Sequence, residues 1–498
     1  MSSYVLAIDQ GTTSSRAFIY NSKFEVVGRG QCAFKQYYPK PGWVEHDLEE
    51  VWSSVEASIR QAIEEASKSG FSVENISAIG ITNQRETFGL WERSTGKPLC
   101  NAVVWQCSRS QEICNTLGKS RDGKKIAKIT GLKISPYFSG TKLSYLLREN
   151  SEILARAKSG KIAFGNIDTF LLWRLSSGSA HATDASNASR TLFFDIHKGA
   201  WSDFALKVLK IPRQILPEVK DSNAMFAKTS GLSFLPDGIP VHGILGDQQA
   251  ALFGQACFRK SQAKITYGTG AFMLVNTGHQ CRKSKEGVST IAWTLSGKTT
   301  YAVESSIFIA GAAVQFLRDN LNLFKDSAEI EELAKSVDSS EGVFFIPALT
   351  GLGSPYWRPE ARGLIGGLTR ATNKAHIARA CLEGISLSVA EAFSALAKDS
   401  GSKIRIIRVD GGASKNDLMM QYQSDVLSVV LQRPVDVETT VRGAAYIAAY
   451  GAGLCKIEDL AGHGVVEKTF SPNLRRAEAN QLIKVWKRRV KALLAGAF

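Results

Sequence analysis

What most constrains this chain is an order of elements that occurs twice. In the first copy, residues 4–9, 16–20 and 24–34 read as strands. A hydroxyl-rich turn and then Asn21-Ser22-Lys23 separate them, which predicts an antiparallel meander. Asp47 followed by Glu50 has the form of a capping box, and Leu48, Val51, Trp52, Val55, Ile59 and Ile63 recur at helical spacing until Gly70. A helix of about 22 residues is expected there. Residues 76–82 then read as a buried strand. In the second copy, residues 263–267 turn through Gly268-Thr269-Gly270, return along 271–276, and are followed by a strand at 404–409. Each copy closes with a strand and an alanine-rich helix: 240–245 before 247–254, and 434–437 before 443–451. Two similar α/β halves, 1–254 and 255–498, are therefore expected, with the boundary near 255–262 and a cleft for ligands between them.

Length and composition agree with this. A chain of 498 residues has room for two large domains, and 44% hydrophobic with 21% charged residues is ordinary for a globular protein. The longest apolar stretches, such as 307–314, fall short of the roughly 20 residues needed to cross a bilayer, so no membrane insertion is expected. A strand-like run from Tyr4 leaves no secretory leader in prospect, and a cytoplasmic protein is expected. The eight cysteines form no C-x-x-C pair and the seven histidines show no ligand spacing, so neither disulfides nor structural zinc is expected. The net charge of +15 is spread along the chain. Its one dense cluster, Lys484, Lys487, Arg488, Arg489 and Lys491, is interleaved with Leu482, Val485, Trp486 and Leu493. That pattern reads as an amphipathic surface helix, not as a nucleic-acid arm.

Three segments together suit phosphate chemistry, although the first by itself reads equally as an ordinary hydroxyl-rich hairpin. Asp9-Gln10-Gly11-Thr12-Thr13-Ser14-Ser15-Arg16 puts an acid at a strand end, a glycine at a tight turn and then consecutive hydroxyls. Backbone N–H groups and hydroxyls can converge there on phosphate oxygens, and Asp9 can hold a magnesium ion or its waters. Tyr267-Gly268-Thr269-Gly270 repeats this turn, and Asp410-Gly411-Gly412-Ala413-Ser414-Lys415-Asn416 offers a loop on which a purine could lie. Competing motifs fail. Gly118-Lys119-Ser120 and Gly297-Lys298-Thr299 lack the earlier glycine of a P-loop, and no helix follows Gly28-x-Gly30-x-x-Ala33 as a dinucleotide fingerprint requires.

Polar groups of another kind follow two of the buried strands. Arg85 and Glu86 set donors and an acceptor side by side, as adjacent hydroxyls of a polyol would require. Asp247, at a helix start, reads equally as an N-cap or as a general base.

Residues 9–16, 39–47, Gly80-Ile81-Thr82-Asn83-Gln84-Arg85-Glu86-Thr87, 104–107, 136–142, 246–254, 267–270 and 409–412 together resemble the FGGY carbohydrate kinases, of the actin, hexokinase and Hsp70 ATPase superfamily. The likeness spans nearly the whole chain and is closest to members that act on glycerol. It implies two ribonuclease H-like (actin-like ATPase) domains with a central cleft, and phosphoryl transfer from magnesium-bound ATP to glycerol, giving sn-glycerol 3-phosphate. By the same resemblance, Arg85, Glu86, Tyr137, Asp247 and Gln248 bind glycerol hydroxyls, Trp105 and Phe272 wall its carbon chain, and Asp247 is the base. Thr12, Thr13, Ser14, Arg16, Thr269, Gly311, Gln315, Gly412 and Asn416 fall at ATP or ADP positions, Asp9 and Asp247 near Mg2+. A homo-oligomer, dimer or tetramer, is implied as well.

Ser108, Ser135 and Tyr145 depart from the family pattern beside the polyol positions, which bears on regulation or rate more than on reaction type. Some bacterial members are inhibited by fructose 1,6-bisphosphate through a glycine-rich loop ending in arginine. The matching loop here, 229–240, contains no arginine or lysine, so insensitivity is expected.

Overall fold

The computed structural model describes residues 3–497. The chain folds into two compact bodies, 1–256 with 289–301 and 440–463, and 257–288 with 302–439 and 464–498. The expected halves differ from these bodies in the two excursions, 289–301 and 440–463.

The first body is built on a six-stranded sheet in the order Met225–Lys228, Pro240–Gly246, Ile76–Asn83, Tyr4–Gln10, Ser14–Tyr20, Val26–Ala33. The predicted meander is present, and its first strand runs parallel to Ile76–Asn83, which in turn runs parallel to Pro240–Gly246. Alternation along the strands sends Leu6, Ile8, Ala17 and Ile19 to one face and Val5, Ala7, Phe18 and Tyr20 to the other, each into its own apolar cluster. The first face is covered by the helix Leu48–Ser67, the second by Thr439–Gly451. Both helices lie almost on the backbone: a Cβ at Gly30 would stand 1.9 Å from the Ser58 carbonyl oxygen, and one at Gly80 2.0 Å from that of Ala444. The glycines that imitate a dinucleotide fingerprint thus serve close helix approach. The alanine-rich helix expected to close the second half belongs to the first body instead, because its small residues fit the glycine-flattened face of that sheet.

Asp47 caps the helix Leu48–Ser67, accepting from the N–H groups of Glu49 at 2.7 Å and Glu50 at 3.3 Å. The reciprocal half of the predicted capping box is replaced, since Glu50 Oε1 accepts the Tyr37 hydroxyl at 2.5 Å.

The second sheet has the order Val288–Leu295, Lys298–Ile307, Ala271–Gly278, Ala263–Tyr267, Ile406–Asp410, Val430–Pro434, Val466–Phe470. Its central hairpin and the parallel strand after it repeat the layout of the first sheet. The strand expected at 434–437 lies instead at Val430–Pro434, and the next residues turn, with Asp436 Oδ1 accepting the Glu438 N–H at 3.0 Å. The helix Lys374–Ser400 is the one described helix long and apolar enough to cross a bilayer, but 78% of its most apolar window is buried. It packs into the second body's core, where Ala378, Ile385 and Val389 meet Ile265 and Ile407. The basic C-terminal cluster lies on the helix Arg476–Leu494, with Ala479, Trp486 and Val490 turned inward.

Candidate active site

Parallel pairing aligns the carboxyl ends of three strands in the first body. Gln10 and Gly246 both lie opposite Asn83 in the register, so the loops and helix that follow these strands leave the sheet at one edge. Open α/β sheets place ligand groups at such an edge.

The hydroxyl-rich turn closes on itself through the Gly11 N–H to the Ser14 carbonyl at 3.0 Å, and Gln84 Nε2 donates to the Gly11 carbonyl at 3.0 Å. Thr13 at the tip is exposed, and Thr12 and Ser14 are half-buried. Asp9, 4% exposed, sits across the ladder from Arg16, with Nε 3.7 Å from Asp9 Oδ2.

Arg85 Nε lies 2.9 Å from Asp247 Oδ1, and Arg85 Nη1 donates to Gln249 Oε1 at 3.2 Å. Gly246 makes room for that side chain, since a Cβ there would stand 2.7 Å from Arg85 Cδ. The Asp247 side chain remains 30% exposed. It is not the N-cap: Gly246 holds that position, and Asp247 is the first helical residue, its Oδ1 accepting the Gln248 N–H at 2.7 Å. Of the two sequence readings, this leaves a partly accessible carboxylate beside a buried guanidinium.

Glu86 is buried with a left-handed backbone, φ 61°, and its carbonyl accepts the Ser139 hydroxyl at 2.8 Å. Strain of this kind in a bulky residue persists only where neighbours over-determine it. They do so here, because the fully buried Arg190 Nε reaches Glu86 Oε1 at 2.6 Å. Trp105 and Tyr137 meet edge-on with centroids 5.6 Å apart, and Trp105 Nε1 donates to Thr12 Oγ1 at 3.0 Å. The two rings are thereby tied to the hydroxyl-rich turn.

Sequence reading missed the layer beneath these groups. Asp184 accepts from the Ser186 and Asn187 N–H groups, both at 2.9 Å, and from the Ser222 hydroxyl at 2.8 Å. Ser186 Oγ accepts the Gly246 N–H at 2.9 Å, and Asn187 Oδ1 accepts from Asn83 Nδ2 at 3.1 Å. One buried carboxylate thus braces both strand ends that carry Arg85 and Asp247. Only the run of small polar residues at 184–190 could have pointed to it. Of the three departures, Ser135 Oγ accepts the Tyr137 N–H at 3.3 Å, Ser108 Oγ donates to the Gly42 carbonyl at 2.9 Å, and Tyr145 packs edge-on against Trp43.

In the second body the hairpin Gly268-Thr269-Gly270 meets the start of the helix Gly311–Asp319, which also carries Gln315. The Thr269 carbonyl accepts from Ala310 at 2.8 Å and the Gly268 carbonyl from Gly311 at 3.0 Å. The Asp410–Gly412 turn is equally near, with a Cβ at Gly411 2.5 Å from the Tyr267 carbonyl oxygen. Asn416 caps the helix Asp417–Leu427, accepting the Met419 N–H at 2.8 Å. Phe272 lies on the return strand, half-buried beside Gly270. Thr269, Gly311 and Gly412 are therefore gathered at one end of that sheet.

Residues 4–254 match the model for the N-terminal domain of the FGGY family of carbohydrate kinases, and 263–452 that for its C-terminal domain. The chain is 49% identical over 489 residues to a glycerol kinase of Bdellovibrio bacteriovorus, covering 98% of both chains. It is 47% identical over 497 residues to one of Bacillus subtilis, covering 99% of this chain and all of that one. A crystal structure of Plasmodium falciparum glycerol kinase with ADP superposes with a TM-score of 0.90 at 34% identity, covering 99% of this chain and 98% of that one.

Proposed function

The chain belongs to the FGGY family of carbohydrate kinases, and from that premise we propose that it transfers the γ-phosphoryl group of ATP to a terminal hydroxyl of glycerol, giving sn-glycerol 3-phosphate. The observation that carries the reading is the Arg85–Asp247 pair next in sequence to Glu86, whose partner Arg190 lies over the Tyr137 ring that meets Trp105. Together these groups offer charged donors and acceptors for adjacent hydroxyls, apolar surface for carbon, and an accessible carboxylate for a proton. The names of the relatives narrow the acceptor to glycerol.

In this mechanism Arg85, Glu86, Tyr137 and Gln248 hold the hydroxyls and Trp105 faces the carbon chain. Asp247 Oδ accepts the proton of the attacking hydroxyl, while the Arg85 guanidinium keeps the carboxylate aimed and its charge balanced. General base help of this kind is worth about 100- to 10,000-fold. ATP is assigned, by the family resemblance, to Thr12, Thr13, Ser14, Arg16, Thr269, Gly311, Gln315, Gly412 and Asn416. Phosphoryl transfer asks little more of a protein than placement and charge balance.

Asp9 and Asp247 provide hard carboxylate oxygens suited to Mg2+, and the described residues contain no cluster of three or more His, Cys, Asp or Glu that would form a closed metal cage. That donor set fits an ion held largely by substrate phosphates and water, one that would neutralise phosphate charge.

A coupled assay of ADP release with glycerol, xylulose, erythritol or no acceptor tests the reading. Glycerol should be the preferred acceptor by kcat/KM. A preference for xylulose, or turnover independent of acceptor, would overturn it.

A further inference from the structure

Lys142 is fully buried on the helix Ser139–Glu149, and its ammonium donates to three main-chain carbonyls: Tyr137 at 3.0 Å, Val104 at 3.1 Å and Trp105 at 3.3 Å. Three acceptors use all three N–H groups of an ammonium. A lysine so deep ordinarily takes a carboxylate partner. Here the recorded partners are peptide carbonyls, and the other charges that act on it are Glu86, the thiols of Cys107 and Cys114, and, opposing, Arg109.

The identity of these carbonyls is informative. Val104 and Trp105 follow a short strand, Tyr137 precedes a helix, and the two stretches are separated in sequence by 30 residues and more. They carry the two aromatic rings that stand edge-on at 84° in the acceptor pocket. The Trp105 stretch is also bonded to Thr12, Thr87 and Val44, none of which lies on the Tyr137 stretch, whereas a tetrahedral ammonium bonded to both stretches fixes their separation.

We propose that Lys142 is a positioning residue of the acceptor pocket: its ammonium clamps the Val104–Trp105 and Tyr137 backbones and so holds the Trp105 and Tyr137 rings in the edge-on arrangement that walls the pocket. The inference rests on the reading of Arg85, Glu86, Trp105 and Tyr137 as the glycerol pocket.

Burial pushes the Lys142 ammonium down to about 8. Above that pH the neutral amine has two N–H groups and a lone pair, and the lone pair must face a carbonyl oxygen. Of the groups that face it, Cys114 is pushed up to about 11 by burial, Glu86 is paired with Arg190, and Arg109 with Glu45. A clamp therefore loosens as pH rises from 7 to 9.

The test compares the full chain with Lys142→Met, which keeps the apolar stem and removes the donors. Measured are glycerol and ATP KM from pH 6.5 to 9.5, the thermal midpoint, and amide hydrogen exchange of 104–106 and 137–138. The variant should keep its midpoint within a few degrees and its ATP KM within twofold, while glycerol KM rises at least tenfold at pH 7 and no longer varies with pH. Exchange in both segments should accelerate. Unchanged glycerol KM in the folded variant, or equal losses for glycerol and ATP, would overturn the proposal. Should the variant fail to fold, a wild-type glycerol KM that is flat between pH 7 and 9 overturns it. If the wild type turns over no glycerol, the reading of the pocket has failed, and exchange alone decides the clamp: acceleration in Lys142→Met upholds it and unchanged protection removes it.

Discussion

Arg85 Nε and Asp247 Oδ1 stand 2.9 Å apart, joining the loop after one parallel strand to the first helical residue after its neighbour. The pair ties the proposed base to a proposed substrate ligand, so neither side chain acts alone. Gly246, which passes under the Arg85 side chain, and Ser186, which holds the Gly246 N–H, are part of the same arrangement.

Asp247→Asn should preserve the fold and the affinity for nucleotide yet lower kcat by at least about 100-fold, because an amide cannot take the proton. Steady-state rates with glycerol and ATP check this, and a kcat within tenfold of wild type removes Asp247 from the base role. Arg85→Ala should weaken glycerol binding by about 1–3 kcal/mol in calorimetry. Combined, the two changes should depart from additivity by about 0.5–3 kcal/mol, as expected of side chains in contact.

Glu86 and Arg190 form a pair with both side chains at 2% exposure or less. Removing one partner leaves a buried charge uncompensated, so Arg190→Met should cost about 3–5 kcal/mol in denaturant unfolding. The double variant Glu86→Gln with Arg190→Met should recover much of that stability, since neither charge remains, without recovering glycerol affinity. Recovery of both would mean that Glu86 serves folding and not the acceptor.

The sequence made the meander, the helix after Asp47 and the repeated hairpin legible because each is local: alternation, helical spacing and turn residues lie within a few positions of one another. The destination of the helix Thr439–Gly451 was not legible. Its alanines signal close packing, but only the assembled sheet shows that Gly80 receives it. In the site, Arg85, Glu86 and Asp247 stood out because polar residues directly follow apolar strands. Arg190, Asp184 and Lys142 did not, since each has a deciding partner far along the chain, Glu86 for Arg190, Ser222 for Asp184 and Val104 for Lys142, and no spacing rule connects them. Asp247 as an N-cap was a fair local reading, but the strand runs one residue further, to Gly246, and takes the cap with it.

Asp168 gives a pH prediction. It is fully buried and accepts the Thr183 hydroxyl at 2.6 Å, and burial, with Asp184 adding repulsion, raises its carboxyl from the usual value near 4 to about 7. Between those values the folded state holds a proton that the unfolded state has lost, so stability falls as pH rises through this window. Asp168→Asn keeps an oxygen for Thr183 and cannot ionise. Urea midpoints at pH 5, 6 and 7.5 should show the variant gaining on the wild type as pH rises. A constant difference across the three would mean that folding does not raise the Asp168 carboxyl.

The last prediction concerns fructose 1,6-bisphosphate. The loop 229–240 carries no cation of its own, but the fold brings one to it: Arg60, from the helix Leu48–Ser67, donates through Nη2 to Ser233 Oγ at 2.7 Å and lies over the Phe234 ring. That guanidinium is already matched by Glu56 Oε1, at 2.8 and 2.9 Å. Three of the loop's N–H groups are committed as well, Gly231 to Asp237 Oδ1 at 2.7 Å, Ile239 to Thr229 Oγ1 at 2.9 Å, and Gly238 to the Thr229 carbonyl at 2.8 Å. The adjoining groove, about 1010 Å³, is lined by Asp47, Glu49 and Glu56 as well as by Arg93, Lys97 and Arg174, and Arg174 is taken up by Glu49. A bisphosphate needs convergent donors to replace its hydration, and here the guanidinium groups of Arg60, Arg93 and Arg174 have partners and carboxylates stand among them. Activity should therefore be indifferent to millimolar fructose 1,6-bisphosphate at constant free magnesium. Saturable inhibition under those conditions would show that Arg60 exchanges Glu56 for phosphate, and Arg60→Ala should then abolish it.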